Sequence, residues 1–206
     1  MPTWQGWLII VTAILLIVIL AGRRVMSFLA VERPTHGSFL VVEGWVSDYG
    51  LMEAARLFKS AGYRKLLVTG TEIEQGRHIS VEKSYAQLAA GTLRHAGFEE
   101  TNLVVLPSPK VERDRTFTTA LAVKEWLRAN DSSDGVDVFT IGPHARRTWV
   151  LYSLALGRRN KVGVISFPNA DYDPEHWWRS SAGFRETIGE VVAYVYAKFL
   201  FQPKSP

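Results

Sequence analysis

The first 22 residues of the chain carry no charged side chain, and residues 7–21 are almost wholly apolar. Residues 4–22 approach the roughly 20 needed to cross a bilayer as a helix. Trp4 and Trp7 suit one membrane interface, and Arg23 and Arg24 close the other. A cleaved signal peptide would show a basic segment before the apolar run and a small-residue cleavage site after it. Here no Lys or Arg precedes the run, and two arginines follow it at once. A core helix of a soluble domain would show a polar face, and this segment has none. The expectation is an uncleaved single-pass anchor whose partner is the lipid bilayer through residues 4–22. The basic pair on its C-terminal side favours a cytoplasmic domain.

The remainder suffices for one domain with its own core, not two. Of the 206 residues, 47% are hydrophobic and 21% charged, a globular balance. The expected division is an anchor over 1–24, a linker over 25–37, an α/β domain over 38–201 and a tail over 202–206. There is no cysteine, which excludes disulfides, thiol nucleophiles and Cys-ligated zinc. The net charge of +4 is small and evenly spread. It suits an anionic small molecule or a headgroup surface, and argues against nucleic acid.

Past Pro34 and Gly37, strand-like and helix-like segments alternate. Apolar runs at 39–42, 66–69, 103–106, 136–141 and 162–165 read as strands, the third cut off by Pro107 and Pro109. Helical spacing marks the stretches after Leu51, from 80 to 95, from 116 to 128 and from 146 to 156. Ile188, Val191, Val192, Val195 and Phe199 mark a last amphipathic helix. Gly62, Gly97 and Gly157 stand at helix ends. Five short apolar strands alternating with helices predict a Rossmann-like, doubly wound parallel sheet, with order 3-2-1-4-5.

In such a fold, ligands bind beyond the carboxyl ends of the strands where strand order reverses. The loops after strands one and four flank that point. After strand four, Gly142 and Pro143 make a tight exit, and His144 falls near a helix N-terminus that favours an anion. Arg147 lies one helical turn on. The pair fits a phosphate or carboxylate cradle with His144 transferring protons. It equally fits a surface helix start with a solvated histidine. After strand three, Asp114 or Thr116 can cap the next helix, and Arg115 can reach the same anion. Glu43, directly after strand one and followed by Gly44, can act as a general base, a metal ligand or a cap. Thr69 and Gly70 offer a hydroxyl and a backbone N–H after strand two. The acids and His176 of 171–179 match no metal-ligand spacing, so no metal is expected. Trp177 and Trp178 read first as core cover. No G-x-G-x-x-G, Walker A or G-x-S-x-G pattern is present. This disfavours ordinary dinucleotide oxidoreductases, P-loop NTPases and α/β-hydrolases, and no cofactor is named.

Across residues 39–199 the order of motifs resembles the SanA/YdcF/ElyC-like family of bacterial domains. The matching features are Val41-Val42-Glu43-Gly44, Leu67-Val68-Thr69-Gly70, Ser80 with Glu82, and Arg115-Thr116 with Thr119-Ala120. The most specific is Thr140-Ile-Gly-Pro-His144-Ala-Arg-Arg147, and a late glutamate matches Glu186 or Glu190. The first turn is poorer in glycine than the family's, and Thr119 stands where the family usually has Asn. The resemblance implies a Rossmann-like domain tethered by one helix at the bacterial inner membrane. It also implies a role in the cell envelope, its barrier or peptidoglycan precursor supply, with no settled reaction. Anchored relatives are thought to face the periplasm, against the charge rule. Three functions are compatible with the residues. One is a protein that binds or processes a phosphate-bearing ligand. Another is a non-catalytic membrane scaffold or regulator, and the third a nucleotide- or adenosyl-cofactor-dependent enzyme.

Overall fold

The computed structural model describes residues 3–74 and 79–203. Part of the expected tail, 204–206, lies outside them. The first helix, α1 (Trp4–Leu29), is long and apolar enough to cross a membrane. Thr3 opens it by accepting a hydrogen bond from the Gly6 N–H, and the Ala30 N–H closes it on the Met26 carbonyl. Its 26 residues span about 39 Å at the helical rise. Its large apolar side chains from Trp4 to Leu20 stand exposed, while Met26 and Leu29 are buried in the domain. The helix therefore continues through Arg23 and Arg24 into the expected linker. Nothing in 25–29 breaks it, and Met26 and Leu29 lie one helical turn apart on the face that packs.

Five strands form one parallel sheet in the order β3-β2-β1-β4-β5, as the alternation predicts. They are β1 (Phe39–Glu43), β2 (Lys65–Thr71), β3 (Leu103–Ser108), β4 (Val136–Ile141) and β5 (Val162–Phe167). β1 and β4 are buried throughout, which explains their mostly apolar sequences, broken only by Glu43, Asp137 and Thr140. β3 does not stop at Leu106 but pairs through Pro107 to Ser108. It is an edge strand, the one place in a sheet where a missing N–H is tolerated.

Alternate side chains of each strand feed two cores. Leu40, Val42, Leu66, Val68 and Phe139 pack under α2 (Asp48–Ala61) and α3 (Tyr85–His95). Val41, Leu67, Val136 and Val138 pack under α4 (Arg115–Ala129) and α5 (Ala145–Leu156). α3 starts five residues later than its periodicity suggests, because Ser84 and Gln87 form a reciprocal capping box there. Gly62 and Gly97 have φ of 75° and 80°, and Gly157 has φ 68° with ψ -149°, positive-φ conformations that glycine adopts at little cost.

The last helix, α6 (Ser181–Val195), continues into a π-turn, Tyr196–Leu200. Its apolar spacing does not mark an inward face. Ile188, Val192, Val195 and Phe199 are exposed, and the buried positions are Gly183, Thr187 and Ala197. α6 packs on α1, on α5 and on the turn before α5 rather than on the sheet. Its inner face meets polar groups, so the polar residues turn inward.

The segment between α1 and β1 is pinned at the far end of the sheet. Arg33 exchanges backbone hydrogen bonds with Val164 (2.8 and 3.1 Å), covering part of the β5 edge. The buried Asp137 carboxylate accepts from Thr35 N (2.6 Å), Thr35 Oγ1 (2.8 Å), Gly37 N (3.3 Å) and Tyr63 Oη (2.9 Å). Gly163 pairs with Asp137 on the neighbouring strand, and a Cβ there would collide with the carboxylate. Asp137→Ala leaves several buried donors unpaired, so it should cost on the order of 3 kcal/mol of unfolding free energy. Thr35→Val should cost less. Denaturant unfolding of the detergent-solubilised protein measures both, and a near-neutral Asp137→Ala would refute the pinning role.

Candidate functional site

Strand order reverses between β1 and β4, and a cavity of about 680 Å³ opens beyond their carboxyl ends. Its walls are the ends of β1 and β2, the starts of α4 and α5, and the inner face of α6. Glu43, Thr69, Gly70, Arg115, Thr116, His144 and Arg147 all line it. Gly44 and Gly142 do not. A Cβ at Gly44 would lie 2.5 Å from the Tyr85 carbonyl and 2.8 Å from that of Thr69. A Cβ at Gly70 would lie 2.5 Å from Ala86 N. These two glycines let the start of α3 abut the ends of β1 and β2. Gly142 has φ 50° and makes the sharp exit from β4, after which Gly142–His144 forms a 3-10 turn leading into α5.

Four ionisable side chains meet at the floor. The buried Glu43 accepts from Thr140 Oγ1 at 2.6 Å and from Thr148 Oγ1 at 3.4 Å. His144 Nε2 lies 3.5 Å from Glu43 Oε2, an ion-pair distance too long for a full hydrogen bond. On the other side of the ring, Nδ1 is 2.9 Å from Glu190 Oε1. Arg147 clamps Glu190 with two donors, Nε to Oε2 at 2.8 Å and Nη2 to Oε1 at 2.9 Å. Its Nη1 donates to Thr116 Oγ1 at 3.3 Å. Trp45 stands edge-on to His144, with ring centroids 4.9 Å apart.

Burial by itself pushes the His144 imidazole down, but the Glu43 charge and the Glu190 contact outweigh it and lift the group to about 9. At neutral pH the ring is an imidazolium with a carboxylate on each nitrogen. Nδ1 and Arg147 Nη2 lie 2.8 Å apart and both face Glu190 Oε1, and the Arg147 charge works against the proton on the ring. Burial raises Glu43, while His144, Thr140 and Arg147 together hold it below its usual range. Burial likewise raises Glu190, and the Arg147 and His144 contacts bring it down to about 2. Glu186, one turn earlier on α6, is raised by burial against the Asn169 Nδ2 hydrogen bond at 2.8 Å. With both carboxylates ionised, the quartet is neutral overall and includes one proton donor.

Above this floor, α4 begins without a side-chain cap. Asp114 occupies the cap position at φ 59° and makes no capping bond, nor does Thr116, whose hydroxyl accepts from Arg147. By contrast, Ser47, Ser84 and Ser180 cap α2, α3 and α6. Arg115 also lines the cavity, and its Nη1 donates to Glu74 at 2.8 Å in an exposed ion pair. The arrangement thus places an uncapped helix start, Thr116 and Arg115 beside a buried imidazolium. Such a site can hold an anion and deliver a proton to it.

Glu190 and Glu186 were the main residues that motif reading left outside the site. Their signal is an i, i+4 pair of acids on an otherwise apolar helix, which places both on one face. Thr140, which helps fix Glu43, opens the most specific motif match, which implies no role for it, and Thr148 carried no comparable signal. Glu43 is also open to a metal-ligand reading. Among the described residues no group of three or more His, Asp or Glu side chains is placed to hold a metal ion. His176, for its part, contacts Asp173 at 2.6 Å on the surface.

A folded-state value raised from 6.5 to about 9 means that protonated His144 stabilises the fold fully below pH 6.5. That contribution is lost as the pH rises through about 9. Stability measured across this window should decline in the native protein, and His144→Gln should flatten the decline. Parallel slopes for the two proteins would remove the imidazolium assignment. No protein-family model matches the chain, and no curated protein matches it either.

Proposed function

We propose that this is a membrane-anchored Rossmann-like protein whose cavity binds and processes a small phosphate-bearing ligand. His144 carries the reading: a buried imidazolium on the cavity wall whose Nε2 is not taken up by a full hydrogen bond. In this role Arg115, Thr116 and the α4 start hold the anion. With water as the attacking group, His144 would donate its proton to the oxygen that leaves phosphorus, and Glu43 steadies the charge on the ring. Glu190 fixes the ring from the opposite side, as an orienting carboxylate does for a catalytic histidine. The value near 9 makes His144 the acid at neutral pH rather than the base. The anchor keeps the domain at a membrane. The resemblance to the SanA/YdcF/ElyC-like family adds the setting, the bacterial inner membrane and cell-envelope biogenesis. Arg23 and Arg24 argue for the cytoplasmic face and the anchored relatives for the periplasmic one; a reporter fused at the C-terminus decides between them.

A second reading has its own observation. Arg147 spends two donors on Glu190 and a third on Thr116, so it acts first as a latch between α5 and α6. On that reading the network is structural and the protein a membrane scaffold or regulator. Removing Arg147 would leave Glu190 buried and unpaired, which makes it a poor probe of binding. The informative variants are Arg115→Ala, Thr116→Ala and His144→Gln.

Inorganic phosphate, pyrophosphate and glycerol phosphate should each be titrated against the melting temperature of the full-length protein in detergent. The expected result is stabilisation by at least one of them. Arg115→Ala should weaken that binding about tenfold, roughly 1.4 kcal/mol. His144→Gln should retain binding and lose turnover. If none of the three probes moves the transition while Glu190→Gln lowers it, the latch reading replaces the binding one.

A further inference from the structure

The outer face of α6 exposes an unbroken apolar stripe. Phe184, Ile188, Val192, Val195 and Phe199 recur at intervals of four, four, three and four, which places them along one side of the helix. Phe184 is 53% exposed, Val192 64% and Phe199 71%. A contiguous exposed apolar surface of this kind marks a contact with a partner or a membrane. We infer that this stripe is a second membrane contact, seated in the interfacial layer of an anionic bilayer beside the anchor. The inference rests on α1 spanning that bilayer.

Continuity with the anchor identifies the occupant. The end of α1 packs on α6 and the turn before it. Trp177 Nε1 donates to the Gly22 carbonyl at 3.2 Å, where the uncharged run ends. Met26 packs with Trp177 and Tyr172, against Ala182. Phe28 meets Tyr194 edge-on, with centroids 5.3 Å apart. The start of α6 is therefore held at the level where the anchor leaves the hydrocarbon. Trp178 lies at that level, 41% exposed, as interfacial tryptophans do.

The charges agree. Between residues 181 and 203 the only acids are Glu186 and Glu190, and both line the cavity. The remaining charges there are Arg185 and Lys198, with Arg179 just before the helix and Arg23 and Arg24 on the anchor. Along α6 itself the outward charges are basic, the pattern of a helix lying in an anionic interface, while the acids Asp171, Asp173 and Glu175 lie in the turn before it. A second copy of this chain would gain the same apolar burial but would bring like charges together.

The chain contains no cysteine, so single substitutions can carry one label each without background. Full-length Ile14→Cys, Ile188→Cys and Lys59→Cys, each bearing an environment-sensitive fluorophore, are reconstituted into phosphatidylglycerol–phosphatidylcholine vesicles. Emission is then challenged with nitroxide-labelled lipid and with aqueous iodide. The expected result is loss of emission to the lipid quencher at Ile14 and Ile188, and to iodide at Lys59. If Ile14 responds to lipid while Ile188 responds to iodide like Lys59, the second contact is refuted and the anchor stands. If Ile188 is shielded from both quenchers, a protein surface covers the stripe and the bilayer assignment fails. If lipid does not reach Ile14, the anchor reading fails and takes this inference with it.

Discussion

Four ionisable groups are brought into a largely dehydrated space at the end of the sheet, and each is tolerable only because of the others. Burial alone would neutralise Glu43, Glu190 and His144, since no isolated charge is stable out of water. Together they alternate in sign, from Glu43 to His144 to Glu190 to Arg147. The alternation keeps Glu43 and Glu190 ionised and His144 protonated. It also dictates tertiary structure. Glu43 belongs to β1, His144 and Arg147 to the start of α5, and Glu190 to α6. Lifting α6 away would strand Arg147 and one side of His144 without a counter-charge. The helix is thus held over the sheet edge by electrostatics where other helices are held by apolar packing.

This dependence explains why α6 inverts the usual pattern. An amphipathic helix ordinarily turns its apolar stripe inward. Here the surface to be covered is the polar rim of a cavity, so Glu186, Thr187 and Glu190 face in, and Phe184, Ile188 and Val192 face out. The helix that is long and apolar enough to cross a membrane, α1, packs on the same α6. The two features are linked through α1: Arg146, next to His144 and Arg147, donates to the Phe28 carbonyl and stacks over its ring. The first turn of α5 therefore touches both the charge network and the end of the anchor.

The sheet was legible because it obeys one rule: a strand buried on both faces is apolar throughout, and helices between such strands force a parallel, doubly wound order. β1 and β4 are buried over their whole length and mostly apolar, with Glu43, Asp137 and Thr140 as the exceptions. Pro107 was misleading because its meaning depends on whether a strand is central or at an edge, a property of the assembled sheet. The orientation of α6 was not legible for a related reason. Periodicity identifies a helix and its stripe, but which side faces protein depends on what the stripe would pack against. Asp137 sits in an apolar strand run with nothing nearby in sequence to announce Thr35 and Tyr63 as its partners.

Within the site, legibility divided between position and pairing. The loops after β1 and β4 were identifiable from topology alone, and Glu43, His144 and Arg147 do meet there. Their partners were harder to read, because a loop histidine and an arginine one turn on suit an anion cradle and a salt-bridge latch alike. Glu190 separates these roles in space. It occupies Arg147, so that of the residues suited to an anion cradle only Arg115, Thr116 and the α4 start on the facing wall stay clear of it. The imidazolium links the two: Nδ1 closes the latch, and Nε2 is buried toward Glu43. A single residue joining a structural lock to a potential proton donor makes the two difficult to change independently. Any ligand that drew the proton from Nε2 would weaken the charge alternation that holds α6 in place. A change of charge in the cavity would then be coupled, through α6, to α1, which packs on it.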